Sequence, residues 1–167
     1  MSMKSPFRKT LVAQAVALGF SLIAPLQANA IGGCTVTSQS GSVGTISTTI
    51  TDQCFLPESF STLNVASSGV MTSAPTSIRM SSGAVGVNNA GRIDGGIVVN
   101  QNASITGSIT NSGLISGSIA NSGTIVGNIS NSGTINGGIS TGVTVGGTIS
   151  NGIVKSGTIN GGITNTD

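Results

Sequence analysis

Apolar and polar residues alternate through the second half of the chain with a period of ten. The repeated unit reads Asn-Ser-Gly-x-Ile-x-Gly-x-Ile-x, so its two apolar residues stand four apart with a glycine midway between them. Since alternate residues of a β-strand face the same side, both apolar residues and this glycine are expected to point inward from one strand per unit. The predicted core consists of Ile105, Ile109, Ile115, Ile119, Ile125, Ile129, Ile135, Ile139, Val145, Ile149, Ile159 and Ile163.

The repeat predicts an all-β fold, a parallel β-solenoid in which like residues of successive coils stack. A helix would place a glycine in every unit at a cost of about 1 kcal/mol each relative to alanine. One strand per unit predicts about 20 residues for a two-sided coil or about 30 for a triangular one, and the period does not choose between them. Ile115 is accordingly expected to stack over Ile135 or over a later copy. A meander of hairpins is the competing arrangement, and identical units favour the solenoid.

The Asn-Ser-Gly triplets are expected to form the turns between strands. Asn and Gly tolerate a positive φ, and Asn or Ser side chains can bond the local backbone. Stacking of the units predicts a ladder of side-chain amides from the turn residues Asn111, Asn121, Asn131 and Asn151.

Two departures from the period predict bulges at turns. Two extra residues stand between Ile97 and Ile105, and four stand between Ile149 and Ile159, where residues 152–155 are the expected insertion. Whether that insertion has a role, or is only repeat decay, stays open.

Residues 31–88 are less regular and are interpreted as an N-terminal cap with degenerate repeats, preceding a solenoid at 89–167. Residues 44–51 resemble a decayed unit in which Ile46 and Ile50 form the apolar pair and Thr48 replaces the glycine between them. An open coil end exposes unpaired strand edges, so a solenoid needs such a cap. The alternative is a small binding head.

Residues 1–30 have the pattern of a secretory signal peptide. Lys4, Arg8 and Lys9 precede an apolar run from Leu11 to Ile23, and Ala28-Asn29-Ala30 fits a cleavage site after Ala30. An oxidising destination predicts a disulfide between the two cysteines, Cys34 and Cys54.

Removal of the signal reverses the charge, from +2 for the whole chain to −1. Three basic residues (Arg79, Arg92 and Lys155) then stand against four acidic ones (Asp52, Glu58, Asp94 and Asp167). Without a basic patch or aromatic platform, no nucleic-acid partner is predicted.

No set of residues has the pattern of an active site, so we predict no enzyme activity, no catalytic residues, no cofactor and no metal. The chain has no histidine, which excludes the usual serine triad. Lys155 has no acid near it in sequence, and no pattern pairs Asp52, Glu58 and Asp94 for glycoside cleavage.

A signal followed by tandem Asn-Ser-Gly-Thr-Ile-x-Gly-x-Ile units, as at 121–129 and 131–139, resembles the passenger region of bacterial autotransporters (type V secretion). The resemblance covers the signal and roughly residues 89–167. It implies a right-handed parallel β-helix displayed at the surface of a Gram-negative cell. It also implies an outer-membrane translocator barrel as partner, which is absent from this sequence, so the chain is interpreted as the N-terminal piece of a longer protein or a truncated product.

The function predicted first is that of a non-enzymatic adhesive or structural passenger, secreted or displayed at the cell surface, with a host-surface or matrix ligand. The alternative is a self-assembling extracellular fibre subunit, since neutral Asn-rich β repeats are competent for cross-β association. Ice binding is a third hypothesis, based on an outward column of Thr124, Thr134 and Thr144 and another of Ser130, Ser140 and Ser150.

Overall fold

The computed structural model describes residues 29–31, 34–56, 61–142 and 146–165. The predicted signal segment lies outside these residues except for Asn29 and Ala30. Glu58, Thr144, Val145 and Asp167 also lie outside them.

Stacked coils of short strands build the described part of the chain, and no helix occurs in it. The N-terminal strands are β1 (Asn29–Ile31), β2 (Cys34–Val36) and β3 (Ser38–Ser40). The first two coils contain β4 (Val43–Ile46), β5 (Thr49–Ile50), β6 (Cys54–Leu56), β7 (Thr62–Val65), β8 (Val70–Met71) and β9 (Thr76–Met80). The third coil contains β10 (Gly86–Asn89), β11 (Arg92–Ile93), β12 (Gly96–Val99) and β13 (Ser104–Ile105).

The last three coils hold the clean repeats. The fourth coil contains β14 (Ile109–Asn111), β15 (Leu114–Ile115), β16 (Ile119–Asn121) and β17 (Thr124–Ile125). The fifth contains β18 (Ile129–Asn131), β19 (Thr134–Ile135), β20 (Ile139–Thr141) and β21 (Thr148–Ile149). The sixth contains β22 (Ile153–Lys155), β23 (Thr158–Ile159) and β24 (Ile163–Asn165).

Strands of successive coils pair in parallel and form four sheets. The first sheet runs β4-β7-β10-β14-β18-β22, and β3 pairs antiparallel with the outer edge of β4. The second runs β5-β8-β11-β15-β19-β23, the third β6-β9-β12-β16-β20-β24, and the fourth β13-β17-β21. The fold is therefore a parallel β-solenoid, which confirms the predicted class and rejects the hairpin meander.

Pairing registers fix the coil length that the period left open. In the clean repeats Ile109 pairs with Ile129 and Ile115 with Ile135, so two repeat units make one coil. Each unit contributes two short strands rather than the one predicted. The chain bends around the middle glycine, so that Ile125 lies in the fourth sheet and Ile129 in the first. The coil has four sides because Ile-x-Gly-x-Ile turns a corner instead of running straight.

The core is a column of aliphatic side chains along the whole stack. Of the predicted core residues, the eight isoleucines from Ile105 to Ile139 are at most 2% exposed. Ile149, Ile153 and Ile159 are partly buried against the same core, and Ile163 is exposed. Burial therefore decreases in the last coil, which has no neighbour above it among the described strands.

The structure has the first predicted insertion at the expected position and the second at a different position. Val99 pairs with Asn121 and Ser104 with Thr124, so the two extra residues lie at the corner between Val99 and Ser104.

The four extra residues were placed wrongly at residues 152–155. Ile153 to Lys155 form β22 and pair in register with Ile129 to Asn131. Thr141 still follows the two-unit register of the clean repeats in pairing with Asn121, whereas Thr148 lies four positions beyond that register from its partner Thr124. The insertion therefore lies between Thr141 and Thr148. The sequence interpretation failed because it took Ile149 as the second apolar residue of a unit, whereas it pairs with Ile125, the first.

The parallel stack begins at Val43, well before the predicted start of the solenoid at residue 89. The predicted boundary falls inside β10, and residues 43–80 already form two coils. The decayed unit was also assigned the wrong register. Ile46 pairs with Val65 in the column that Asn89 and Asn111 fill higher up, so Thr48 replaces the glycine of the Asn-Ser-Gly corner rather than the glycine between two isoleucines.

Candidate functional site

Asparagine side chains form a buried row along one edge of the first sheet. The Asn89 amide donates to Asn111 Oδ1, and the Asn111 amide donates to Asn131 Oδ1, each at 2.7 Å. All three residues are at most 2% exposed, so they point into the solenoid although they were predicted as turn residues. The side-chain amides also donate to backbone carbonyls at the corners. The Asn111 amide, for example, donates to the carbonyls of Gly113 and Thr134. The row thus stabilises the corner of each coil and links each coil to the next.

Asn121 and Asn151, two of the four predicted ladder residues, lie elsewhere. Because two units make a coil, Asn121 lies in the third sheet, between Val99 below and Thr141 above, where its oxygen accepts from Gly123 N. Asn151 is exposed at the corner before β22, and its amide donates to the carbonyl of Val126. Lys155, not Asn151, pairs with Asn131 and takes the ladder position in the last coil.

The corner glycines are required by close approach of the coils. A Cβ on Gly69, Gly113, Gly133 or Gly157 would overlap a carbonyl oxygen of the coil below, and none of them has a positive φ. The predicted reason, a positive φ in the Asn-Ser-Gly turn, was therefore wrong for these positions. Thr48 stands at the bottom of this column and is exposed, and the described residues place no coil beneath it.

Cys34 and Cys54 form the predicted disulfide. It joins β2 to β6 of the first coil, and both cysteines are fully buried. The predicted cleavage after Ala30 falls within β1, which pairs antiparallel with β2.

Outward side chains next to the second sheet form a polar row, which we define as Thr72, Asp94, Ser116, Asn136 and Asn160. The backbone amide of each donates to a carbonyl of the coil below, as Asn136 N does to Ile115 O at 2.9 Å. Asn160 also donates its side-chain amide to Asn136 Oδ1. The residues are therefore one coil apart, which is about 4.8 Å between strands. This row presents hydroxyl, amide and carboxylate groups at regular spacing on a rigid support.

The outward columns predicted for ice binding are not formed as proposed. Thr124 pairs with Thr148 in the fourth sheet, whereas Thr134 pairs with Leu114 and Thr158 in the second. Ser130 and Ser140 likewise lie in different sheets. Because alternate units face different sides, a column with one member per unit does not exist, and each real column mixes residue types.

Charged groups are sparse on the described surface. Arg92 and Asp94 form an ion pair on the outside of the second sheet, and this is the one salt bridge among the described residues. In the same residues, no three His, Cys, Asp or Glu side chains cluster as metal ligands would. The described ranges contain no helix long and apolar enough to cross a membrane.

Cavities open on the described surface at the end of the stack and at the two-residue insertion. One of about 330 Å³ lies at the end of the stack and is lined by residues that include Ile149, Ile153 and Ile163. The other, of about 400 Å³, lies at the two-residue insertion and is lined by Ser81, Ser82 and residues 100–103. Its polar groups bond one another, for example Asn100 to Ser81 and Ser82 to the Asn102 carbonyl.

Comparison with protein-family models, curated proteins and solved structures finds no match for this chain. The class that the geometry defines is the parallel β-solenoid, in which the coils of the clean repeats are four-sided and consist of two repeat units each.

Proposed function

We propose that this protein is an exported, non-enzymatic scaffold of the autotransporter-passenger kind, displayed at the surface of a Gram-negative cell or released from it. Its role is adhesion to a host-surface or matrix ligand. The observation that carries the proposal is the polar row, in which successive coils place Thr72, Asp94, Ser116, Asn136 and Asn160 outward on one support. Repetition of weak polar contacts at fixed spacing is a way to build affinity without a pocket.

The signal pattern and the disulfide support the export part of the proposal. Disulfides persist in oxidising compartments such as the periplasm and cell surface, and Cys34–Cys54 is formed here. The proposal includes an outer-membrane translocator barrel as partner, because the resemblance to autotransporters implies one.

A self-assembling fibre is the alternative function, and burial of the core at the N-terminal end of the stack does not favour it. A growing fibre needs head-to-tail contacts between the two different ends of the subunit. At the N-terminal end, β3 pairs along the edge of β4, and Ile46 and Leu56 are at most 1% exposed.

The first test is export of the full chain expressed in a Gram-negative bacterium. We expect a product outside the cytoplasm that begins at Ile31 and whose cysteines resist alkylation until reduced. The matched variant Leu18→Arg, which interrupts the apolar run, should leave an uncleaved cytoplasmic chain. A wild-type chain that stays uncleaved in the cytoplasm would contradict the proposal.

The second test concerns adhesion of the exported protein to surfaces coated with extracellular-matrix proteins. We expect Ser116→Lys combined with Asn136→Lys, both in the polar row, to reduce binding at least about tenfold, a loss of about 1.4 kcal/mol. The control is Ala120→Lys with Ser140→Lys, which changes outward residues of the third sheet. Equal binding by both double variants would show that the polar row is not the adhesive surface.

A further inference from the structure

The two extra residues of the third coil form a polar cavity of about 400 Å³ at the corner after the third sheet, which we call the corner cavity. It is lined by Ser81, Ser82 and residues 100–103. Hydrogen bonds from Asn100 to Ser81 and from Ser82 to the Asn102 carbonyl hold its wall together. The side-chain amides of Gln101 and Asn102 are exposed and make no hydrogen bond to any described residue. The corner cavity therefore presents two amide groups that are available to a ligand.

An unpaired cation lies beside the corner cavity. Arg79 points outward from β9, two positions before Ser81, and it is exposed. Two residues of a strand span about 6.6 Å, which an extended arginine side chain can bridge. Within the described ranges Arg79 forms neither a salt bridge nor a hydrogen bond. A guanidinium group binds a carboxylate through two parallel hydrogen bonds, so Arg79 supplies a position for an acidic group at the mouth of the cavity.

Phe55, the one aromatic residue in the described part of the chain, lies next to Arg79. It pairs with Arg79 in register across β6 and β9, so the two residues are about 4.8 Å apart. The phenyl ring points outward and is 39% exposed. An exposed ring offers an apolar face against which the C–H groups of a sugar ring can pack. Phe55, Arg79 and the corner cavity thus follow one another along the outside of the third sheet.

These three features match different parts of one ligand. The guanidinium group of Arg79 selects an anion, the ring of Phe55 selects an apolar face, and the amides of the cavity select hydroxyl or acetamido groups. A simple inorganic anion would use Arg79 alone. An acidic peptide presents carboxylates but no array of hydroxyl groups. A saccharide that carries a carboxylate presents all three groups within the length of two sugar rings.

We propose that Phe55, Arg79 and the corner cavity bind a saccharide that contains a uronic acid. The carboxylate pairs with Arg79, the uronic-acid ring packs on Phe55, and the neighbouring sugar enters the cavity and bonds the amides of Gln101 and Asn102. The binding is non-covalent. The site lies outside the third sheet, whereas the polar row lies beside the second, so the inference goes beyond the proposed adhesion through that row.

Titration of the purified full chain, with its disulfide formed, tests the proposal by nuclear magnetic resonance. The probe is a tetrasaccharide of alternating glucuronate and N-acetylglucosamine. We expect a dissociation constant of about 1 mM, because the contacts are few and exposed. Backbone amide signals of residues 79–81 and 100–103 should shift, and those of residues 129–139 should not. The same tetrasaccharide with its carboxylates reduced to alcohols should bind at least about tenfold more weakly, since Arg79 loses its partner.

Substitutions at exposed positions separate the parts of the site. Arg79→Gln should weaken binding of the tetrasaccharide at least about tenfold, and Phe55→Thr should weaken it about fivefold, because the sugar ring loses its apolar support. The matched control is Arg92→Gln, which removes the same charge from an exposed outward position of the second sheet and should leave the dissociation constant unchanged. Circular dichroism and thermal unfolding check that each variant is folded.

Three results would overturn the proposal. The first is the absence of any shift with the tetrasaccharide up to about 10 mM. The second is an equal loss of binding in Arg79→Gln and Arg92→Gln, which would show that only the net charge of the protein matters. The third is equally strong binding of a glutamate tetrapeptide, which would show that the surface takes acidic peptides as well as it takes saccharides.

Discussion

The N-terminal and C-terminal ends of the stack differ in how far their strand edges and inward side chains are covered. Each end coil presents strand edges and inward side chains that have a neighbour on one side only. At the N-terminal end Ile50 is only 6% exposed, and β3 pairs with the outer edge of β4. At the C-terminal end Ile163 is 49% exposed, and among the described strands β22, β23 and β24 each have one edge without a neighbour. The repeat makes coils that stack, and only a segment outside the repeat can close an end.

Removal of the disulfide at the N-terminal end is expected to have the largest effect on stability. Replacing Cys34 and Cys54 by serine should lower the free energy of unfolding by about 3 kcal/mol, because the bond, with a sequence separation of 20, closes a loop in the unfolded chain. Chemical denaturation measures the change. Hydrogen exchange should locate the lost protection in β2 to β6, with β18 to β24 unchanged. Reduction of the wild type should reproduce the effect, and an unchanged denaturation midpoint would contradict this account of the N-terminal end.

A matched pair of alanine variants compares burial at the two ends directly. Ile50 and Ile159 belong to the same column of the second sheet, in the first and last coils. Ile50→Ala should cost about 3 kcal/mol, as for other fully buried isoleucines. Ile159→Ala should cost about 1 kcal/mol, because its side chain already contacts water on one side. Equal losses in thermal or urea unfolding would mean that the C-terminal end is covered in solution.

Changes of side chain at the corner column give the smallest expected difference between two matched variants. Gly69→Ala should lower stability by about 2 kcal/mol, because its Cβ would overlap the Ile46 carbonyl and push the first two coils apart. Thr48→Ala, one coil lower, should change stability by less than about 0.5 kcal/mol, because that side chain is exposed and the described residues place no coil beneath it. Urea unfolding of both variants measures the difference. A tolerated Gly69→Ala would show that the coils can separate at this corner without cost.

Sequence reasoning succeeded where residue type and spacing along the chain carried enough information. The β-branched isoleucines at fixed spacing indicated strands and an inward column, and Ile105 to Ile139 are buried as predicted. The two cysteines, which follow a predicted export signal, indicated a disulfide, and it is formed. The two extra residues before Ile105 lie at a corner, with Asn102 in a left-handed conformation.

Where it failed, the answer depended on contacts between coils. A strand and a corner both fit Ile-x-Gly-x-Ile, so the four-sided coil was not foreseen. The insertion was misplaced because Ile149 pairs with Ile125, and this pairing can be recognised only from the register with the coil below. Asn121 was assigned to one ladder with Asn111, although pairing between every second unit separates them into different sheets.

The sequence alone determined the period, the apolar inward residues from Ile105 to Ile139, the strand-forming character of the chain and the pairing of its cysteines. These follow from local preferences and from counting, since side-chain spacing and residue type are properties of the chain itself. Tertiary structure alone decided how many units make a coil, which asparagines meet, why the corner glycines admit no side chain, and which end is covered. Each of these depends on the residue that lies one coil below or above, two repeat units away along the chain, and only the stacking of coils brings those residues together.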